Sequence, residues 1–164
     1  MSIIIEPLGL QHNRAGFSCG AKLVDQFCKT AHPEHFASKR RIYVCCADDK
    51  TTVIGFYSLS LTFLRKSRNQ KINEPSIHLE MIGVAEASQG QGLGSALLAH
   101  AFQSVSTVAD LVGVMWIFLE AINEKSETFY ADIGFKWFNQ DRKEMIIPID
   151  AIKMLVEAGD APAP

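Results

Sequence analysis

Tyr130, Glu80 and the turn Gln89-Gly90-Gln91-Gly92-Leu93-Gly94-Ser95 hold most of the chemistry this sequence could perform. A phenol can give a proton and a carboxylate can take one. Glycines at 90, 92 and 94 tolerate positive φ and let a ligand approach the main chain. An apolar run (Met81, Ile82, Val84) enters the turn. A helically periodic run leaves it, with Leu97, Ala101, Val105 and Val108 on one stripe and Leu98 and Phe102 beside it. The stretch therefore reads as a strand, a tight loop and the first turn of a helix. Unsatisfied N–H groups at such a helix start, together with its dipole, favour an anion, and phosphate or pyrophosphate is the natural ligand. Two familiar phosphate loops are excluded. A P-loop needs Lys then Ser or Thr after its last glycine, and a dinucleotide fingerprint needs a third glycine where Ser95 stands.

The elements that must position this turn follow from pattern. Residues 3–7 read as a strand and 8–20 as loop. Residues 21–31 form an amphipathic helix through Leu23, Val24, Phe27, Cys28 and Ala31, broken by His32-Pro33, with a short second helix over 34–39. Residues 41–47 and 52–61 make a hairpin around Asp48-Asp49-Lys50. A polar excursion spans 62–76, and 77–84 is the strand that feeds the glycine turn. After the helix, 114–119 is a central buried strand, 124–133 a short helix ended by Gly134, and 135–138 and 144–149 the last two strands. This order predicts an α/β fold with a mixed central sheet and helices on both faces. One domain is expected over 1–150, then a C-terminal extension over 151–164 with a mobile Pro-rich tail.

Composition narrows the class. With 48% apolar residues, ten phenylalanines and 21% charged residues in 164, the chain can build a full core and is not a disordered one. A formal net charge of −2 carries no global signature of a nucleic-acid binder. Two local segments are basic, however: Lys39-Arg40-Arg41, and Arg65, Lys66, Arg68 and Lys71, together seven of sixteen Lys and Arg. The N-terminus lacks a basic leader region, and no apolar run is long enough for a membrane span, so a cytoplasmic protein with no membrane partner is expected. Cys19, Cys28, Cys45 and Cys46 lack zinc-type spacing and read as reduced thiols. His32 and His35 stand at i, i+3 without a third ligand, so a surface pair and no metal are expected.

Gln89, Gly92 and Gly94 resemble the Q/R-x-x-G-x-G/A motif of the GNAT family of N-acetyltransferases. Asn123, Ser126, Phe129-Tyr130 and Gly134-Phe135 resemble that family's N-x-x-(A/S)-x-x-F-Y-x-x-x-G-F element. The resemblance covers roughly residues 3–149. It implies the GNAT acyl-CoA N-acyltransferase fold and acetyl-CoA as cofactor. The turn from Gln89 to Ser95 would bind its pyrophosphate, and the main chain of Ile82, Gly83 and Val84 would bind the oxyanion. Asn123 and Ser126 would hold the pantetheine arm or an ordered water, with Phe129 beside them. Tyr130 would protonate the leaving thiolate. Glu80 could take the ammonium proton, directly or through water; equally it could be a strand-edge carboxylate paired with a lysine or arginine, and proton loss to water without a dedicated base stays open.

The N-terminal half is closer to one branch. Phe17-Ser18-Cys19-Gly20 with Leu23 to Phe27, and the strand Val53-Ile54-Gly55-Phe56-Tyr57-Ser58-Leu59-Ser60, resemble patterns of the acetyltransferase toxins of bacterial toxin–antitoxin modules. That resemblance implies acetylation of the α-amine of aminoacyl-tRNA, hence a translation-blocking toxin, with a ribbon–helix–helix antitoxin and a homodimer. The basic segments, Lys39, Arg40, Arg41, Arg65, Lys66, Arg68 and Lys71, would then meet phosphates. The chain departs from those toxins where they usually read Arg-Leu-Ala-Val; here the strand reads Met81-Ile82-Gly83-Val84. Two other readings stay open: acetylation of a small-molecule or protein amine, and a non-catalytic coenzyme-A-binding sensor or interaction module.

Overall fold

The computed structural model describes residues 3–64 and 73–159. Seven strands form one sheet: β1 (Ile5–Pro7), β2 (Arg41–Cys46), β3 (Val53–Leu64), β4 (Glu74–Val84), β5 (Trp116–Glu120), β6 (Lys136–Asn139) and β7 (Glu144–Pro148). Their spatial order is β1-β2-β3-β4-β5-β7-β6. Every neighbouring pair is antiparallel except β4 and β5. A parallel pair needs a crossover, and the helix α3 (Leu93–Leu111) supplies it.

Two apolar layers sandwich the sheet. On one face α3 buries Leu97, Leu98, Ala101, Phe102 and Val105 against Tyr57, Leu79, Ile117, Leu119 and Ile147. The helical stripe read from sequence is thus the buried one, with Val108 partly buried at its end. On the other face α1 (Lys22–Thr30) and α2 (His32–Phe36) cover Ile42, Val44, Val53 and Phe56 with Val24 and Cys28. The helix α4 (Glu124–Ile133) follows β5 and ends at Gly134, whose φ of 121° few side chains adopt. Among the described residues no helix is long and apolar enough to cross a membrane.

Four sequence expectations change. His32-Pro33 does not simply end α1; it opens α2, because proline fits a first helical turn where its missing N–H costs nothing. His35 is no surface residue: it is buried, and its Nδ1 accepts the Ile42 N–H at 2.9 Å, tying α2 to β2. Among the described residues no three potential metal ligands cluster. The polar excursion is shorter than 62–76, since β3 runs to Leu64 and β4 starts at Glu74, with Phe63 opposite Pro75. Finally, the last strand ends at Pro148 rather than at 149, and a helix, α5 (Ile149–Ala158), leads into the expected extension and buries Ile149 and Ile152 in the α3 core. The rest of the expected tail, from 160 on, lies outside the described residues.

Candidate active site

The site begins with a fault in the sheet. In the β3–β4 ladder Leu59 faces Leu79 and Ser58 faces Met81, so Glu80 is an extra residue, a β-bulge. In the same stretch β4 parts from β5. Their parallel pairing runs Ser76 to Trp116, Ile77 to Ile117, His78 to Phe118, and no pair follows. Both strands continue, so they diverge. The wedge between them is a cavity of about 780 Å³. One wall is β4 from Leu79 to Val84, the other is Leu119, Glu120, Ile122 and Asn123, and α4 closes it with Ser126, Phe129 and Tyr130. Main-chain N–H groups that would have paired across the wedge are thereby directed into it.

Beyond Val84 the glycine turn forms the mouth. Gly90 and Gly92 adopt φ of 73° and 79°, and Gly92 is the N-cap of α3. A Cβ on Gly90 would meet nothing within 4 Å, so its surface is open to a ligand. Gly94 differs from expectation: it lies inside the first turn of α3 with ordinary helical geometry. The first helical bond is Ala96 N–H to Gly92 O at 3.0 Å, and the first turn of α3 carries no acidic residue. The positive end of the helix dipole is therefore not neutralised from its own first turn. Leu93 contributes only main chain here, because its side chain is buried under Gly55 in the core. Gln91 lines the cavity from the exposed side, as does Ser95 from the helix.

Gln89 is spent on architecture. Its Nε2 donates to Val84 O and Cys19 O, both at 2.9 Å. The Phe17-to-Gly20 segment is therefore stapled to the turn, and Glu86 N–H donates to Ser18 O at 2.9 Å. Gly83 has a packing reason as well: a Cβ there would stand 2.8 Å from a Val24 methyl and 3.3 Å from Phe56. The departure from the toxin pattern at 83 thus lets α1 sit closer on β4.

Asn123 and Ser126 form a reciprocal capping box at the start of α4. Asn123 Oδ1 accepts the Ser126 N–H at 2.9 Å, and Ser126 Oγ accepts from the Ile122 and Asn123 N–H groups, both at 3.1 Å. With Oδ1 in the cap, the Nδ2 amide is the donor Asn123 could turn to a ligand. Tyr130 is buried in the wall between Phe129 and Phe135, with ring centroids at 5.4 and 5.5 Å. Burial pushes its hydroxyl up to about 12, so it stays protonated at neutral pH. Phe129 is half-exposed at the cavity edge.

Glu80 is held on both oxygens. Arg40 Nη1 lies 2.8 Å from Oε2, and Ser58 Oγ donates to Oε1 at 3.2 Å. The guanidinium also sits 5.0 Å over the Phe27 ring. Of the two readings of Glu80, the structure therefore presents the arginine-paired carboxylate, and Arg40 is turned inward. Arg41 donates to His35 O and Ser38 Oγ, both at 3.3 Å, while Lys39 is exposed. The second basic segment, Arg65, Lys66, Arg68 and Lys71, lies outside the described residues. Two charged lining residues lay outside the expected site: Glu120, at the end of β5, and Lys125, which lines the cavity and the neighbouring groove under the glycine turn. The signal for Glu120 was its place at the carboxyl end of a buried strand. For Lys125 it was a lone cation in the first turn of the motif helix.

Comparison with known proteins adds relatives to this geometry. A family model described as the Acetyltransferase (GNAT) family matches residues 12–135. The chain is 33% identical to a protein described as "Probable toxin TacT" of Sinorhizobium fredii, over 93% of this chain and 94% of that protein. It is 30% identical to the "tRNA-acetylating toxin" of Mycobacterium tuberculosis, over 90% and 87%. Among solved structures it is similar to a tyrosine-to-phenylalanine mutant of the AtaT toxin bound to the C-terminus of the antitoxin AtaR and acetyl-CoA. That match has a TM-score of 0.83 and 29% identity, over 96% of this chain and 99% of the other. It is also similar to AtaT complexed with acetyl-methionyl-tRNAfMet, with a TM-score of 0.82 and 27% identity, over 94% and 99%.

Proposed function

The chain belongs to the acetyltransferase (GNAT) family, and from that premise we propose that it moves the acetyl group of acetyl-CoA to the α-amine of aminoacyl-tRNA and thereby blocks translation. The observation that carries this is the wedge between β4 and β5, with the glycine turn at its mouth and Tyr130 in its wall, in a chain similar over most of its length to tRNA-acetylating toxins.

The cavity suits acetyl-CoA. It has apolar walls, a mouth of glycine main chain free of side chains, and an N-terminal helix end with no carboxylate in its first turn. When bound, the cofactor would supply an acetyl group activated as a thioester. The main chain of Gly90, Gly92 and Gly94, with Lys125 at the rim, would hold the pyrophosphate. The N–H groups of Ile82 to Val84 would face the developing oxyanion, where preorganised donors act most strongly. Tyr130, whose hydroxyl is pushed by burial further above neutral pH, would give its proton to the departing thiolate. Lys39 and the segment from Arg65 to Lys71 would meet tRNA phosphates, which makes binding salt-dependent. Charged tRNA places the activity in the cytoplasm. By likeness to the antitoxin-bound relative, a small antitoxin of the ribbon–helix–helix type would neutralise a homodimer of this chain.

A small amine as acceptor is favoured by one observation, the carboxylates Glu80 and Glu120 lining the cavity. An aminoacyl ammonium would meet the same charges. Transfer of labelled acetyl from acetyl-CoA to bulk charged tRNA, with spermidine in parallel, decides between them. Label on the amino acid, lost in Tyr130→Phe, supports the proposal. Label on spermidine alone replaces tRNA by a small amine. Acetyl-CoA binding without transfer to any amine, unchanged in Tyr130→Phe, leaves a non-catalytic module.

A further inference from the structure

Acetyl transfer needs a neutral amine, yet the acceptor arrives largely as an ammonium ion. Glu80 is an unsuitable acceptor for that proton, since Arg40 and Ser58 engage both its oxygens. Another group stands at the vertex of the wedge. His78 and Phe118 are the last paired residues before β4 and β5 part, and the cavity lining starts one residue further on, at Leu79 and Leu119. His78 shares its sheet face with Ser60, its partner on β3, and with Phe118, whose ring centroid is 4.9 Å away. Leu79 points to the α3 core, so His78 points to the opposite face, the one where Glu80 meets Arg40. Among the described residues its imidazole has no hydrogen-bond partner, and it is half-buried rather than sealed.

We propose that the His78 imidazole is the base that takes the proton from the acceptor ammonium. This inference rests on the amine acetylation proposed above. The charged groups facing His78 are Glu120 on β5, with Glu144 opposite it on β7, and Arg40 in front of β2. Burial, aided by Arg40, holds the imidazole below its ordinary range, and Glu120 opposes that only in part. The ring is therefore neutral at pH 7 and free to accept, while Glu120 can balance the imidazolium that forms. The bookkeeping of protons closes. The ammonium gives one proton to His78, which passes it to water. The amine nitrogen bonds to the acetyl carbon and the carbon–sulfur bond breaks. Tyr130 protonates the sulfur, and the second nitrogen proton restores Tyr130.

The test is the pH dependence of acetyl transfer by wild type and His78→Gln, on bulk charged tRNA and on methionine amide in parallel. The variant is expected to bind acetyl-CoA as the wild type does. Its kcat/KM at pH 7 should fall about 10²-fold. That deficit should shrink to a few-fold once the pH passes the α-amine's own pKa, about 7.7–8.0 in a free chain, because the amine then arrives neutral. Added imidazole should restore part of the activity of His78→Ala. A deficit that is the same at every pH, or no deficit, overturns the role of His78. Transfer to methionine amide but not to charged tRNA overturns the tRNA acceptor alone, and the amide profile still decides the base. Failure with both, from protein that binds acetyl-CoA, overturns both proposals.

Discussion

The two ends of the wedge are made of different materials. At its mouth the working surface is main chain: Gly90 and Gly92 at positive φ, the first turn of α3, and the N–H groups along β4. At the vertex side chains take over: Glu80 and Glu120 line the cavity, Arg40 pairs with Glu80, and His78 stands at the last β4–β5 pair just behind the lining, so three separate segments meet there. A main-chain surface recognises what every acyl-CoA shares, and it depends on the backbone rather than on any one side chain. A side-chain surface can be rebuilt without disturbing the turn. In the reaction proposed above, the mouth would take the cofactor and the vertex the acceptor.

The largest expected effect crosses that divide. Tyr130→Phe keeps the ring packed between Phe129 and Phe135, so stability and acetyl-CoA affinity should hold while kcat falls about 10²–10⁴-fold. Calorimetry and acetyl-transfer assays on one preparation check both halves. Since the hydroxyl is pushed up to about 12, it stays protonated through the working range. The wild-type rate should accordingly show no decline from this group up to about pH 10.

At the vertex, Arg40→Ala leaves the Glu80 carboxylate without its cation in a largely buried place. A stability loss of about 1–3 kcal/mol is expected in urea unfolding, together with a changed acceptor KM and an unchanged acetyl-CoA KM. A shifted acetyl-CoA KM would erase the distinction between the two ends. At the mouth, Gly92→Ala puts a Cβ on a residue at φ 79°. The strain, about 1–2 kcal/mol, should appear as roughly tenfold weaker acetyl-CoA binding, with acceptor discrimination preserved. Lys125→Ala should do least. The side chain is exposed at the rim, so less than about 1 kcal/mol is expected, visible in acetyl-CoA titrations at low salt and screened at high salt.

The legible parts of this site were those close in sequence. Gln89 to Ser95 declared a strand–turn–helix through glycine spacing and the stripe that follows. Residues 124–134 announced a short helix with its terminal glycine, and α4 forms there; the Asn123–Ser126 capping box that starts it is seen only in the structure. Reading failed where polarity stood in for pairing. Thr62 to Leu64 looked like loop, but the β4 ladder continues through them. Residue 149 was read as the end of a strand and 151–158 only as part of an extension, because a Pro-rich terminus hid the Ile149–Ile152 spacing that docks α5 on the core. His35 looked exposed at i, i+3 from His32, yet its ring nitrogen satisfies a buried N–H forty-second in the chain.

The sequence by itself determined the elements around the glycine turn, the apolar faces of α1 and α3 and the position of Tyr130 in a motif helix. Local periodicity, capping and turn chemistry are encoded within a dozen residues of one another. Only the tertiary structure decided that Glu80 is a bulge, that β4 leaves β5 just after His78, and that Arg40, forty positions earlier, takes the Glu80 carboxylate. Those outcomes depend on which strands become neighbours and in what register. Register is a balance of packing over whole sheet faces, and no single stretch of the chain contains it.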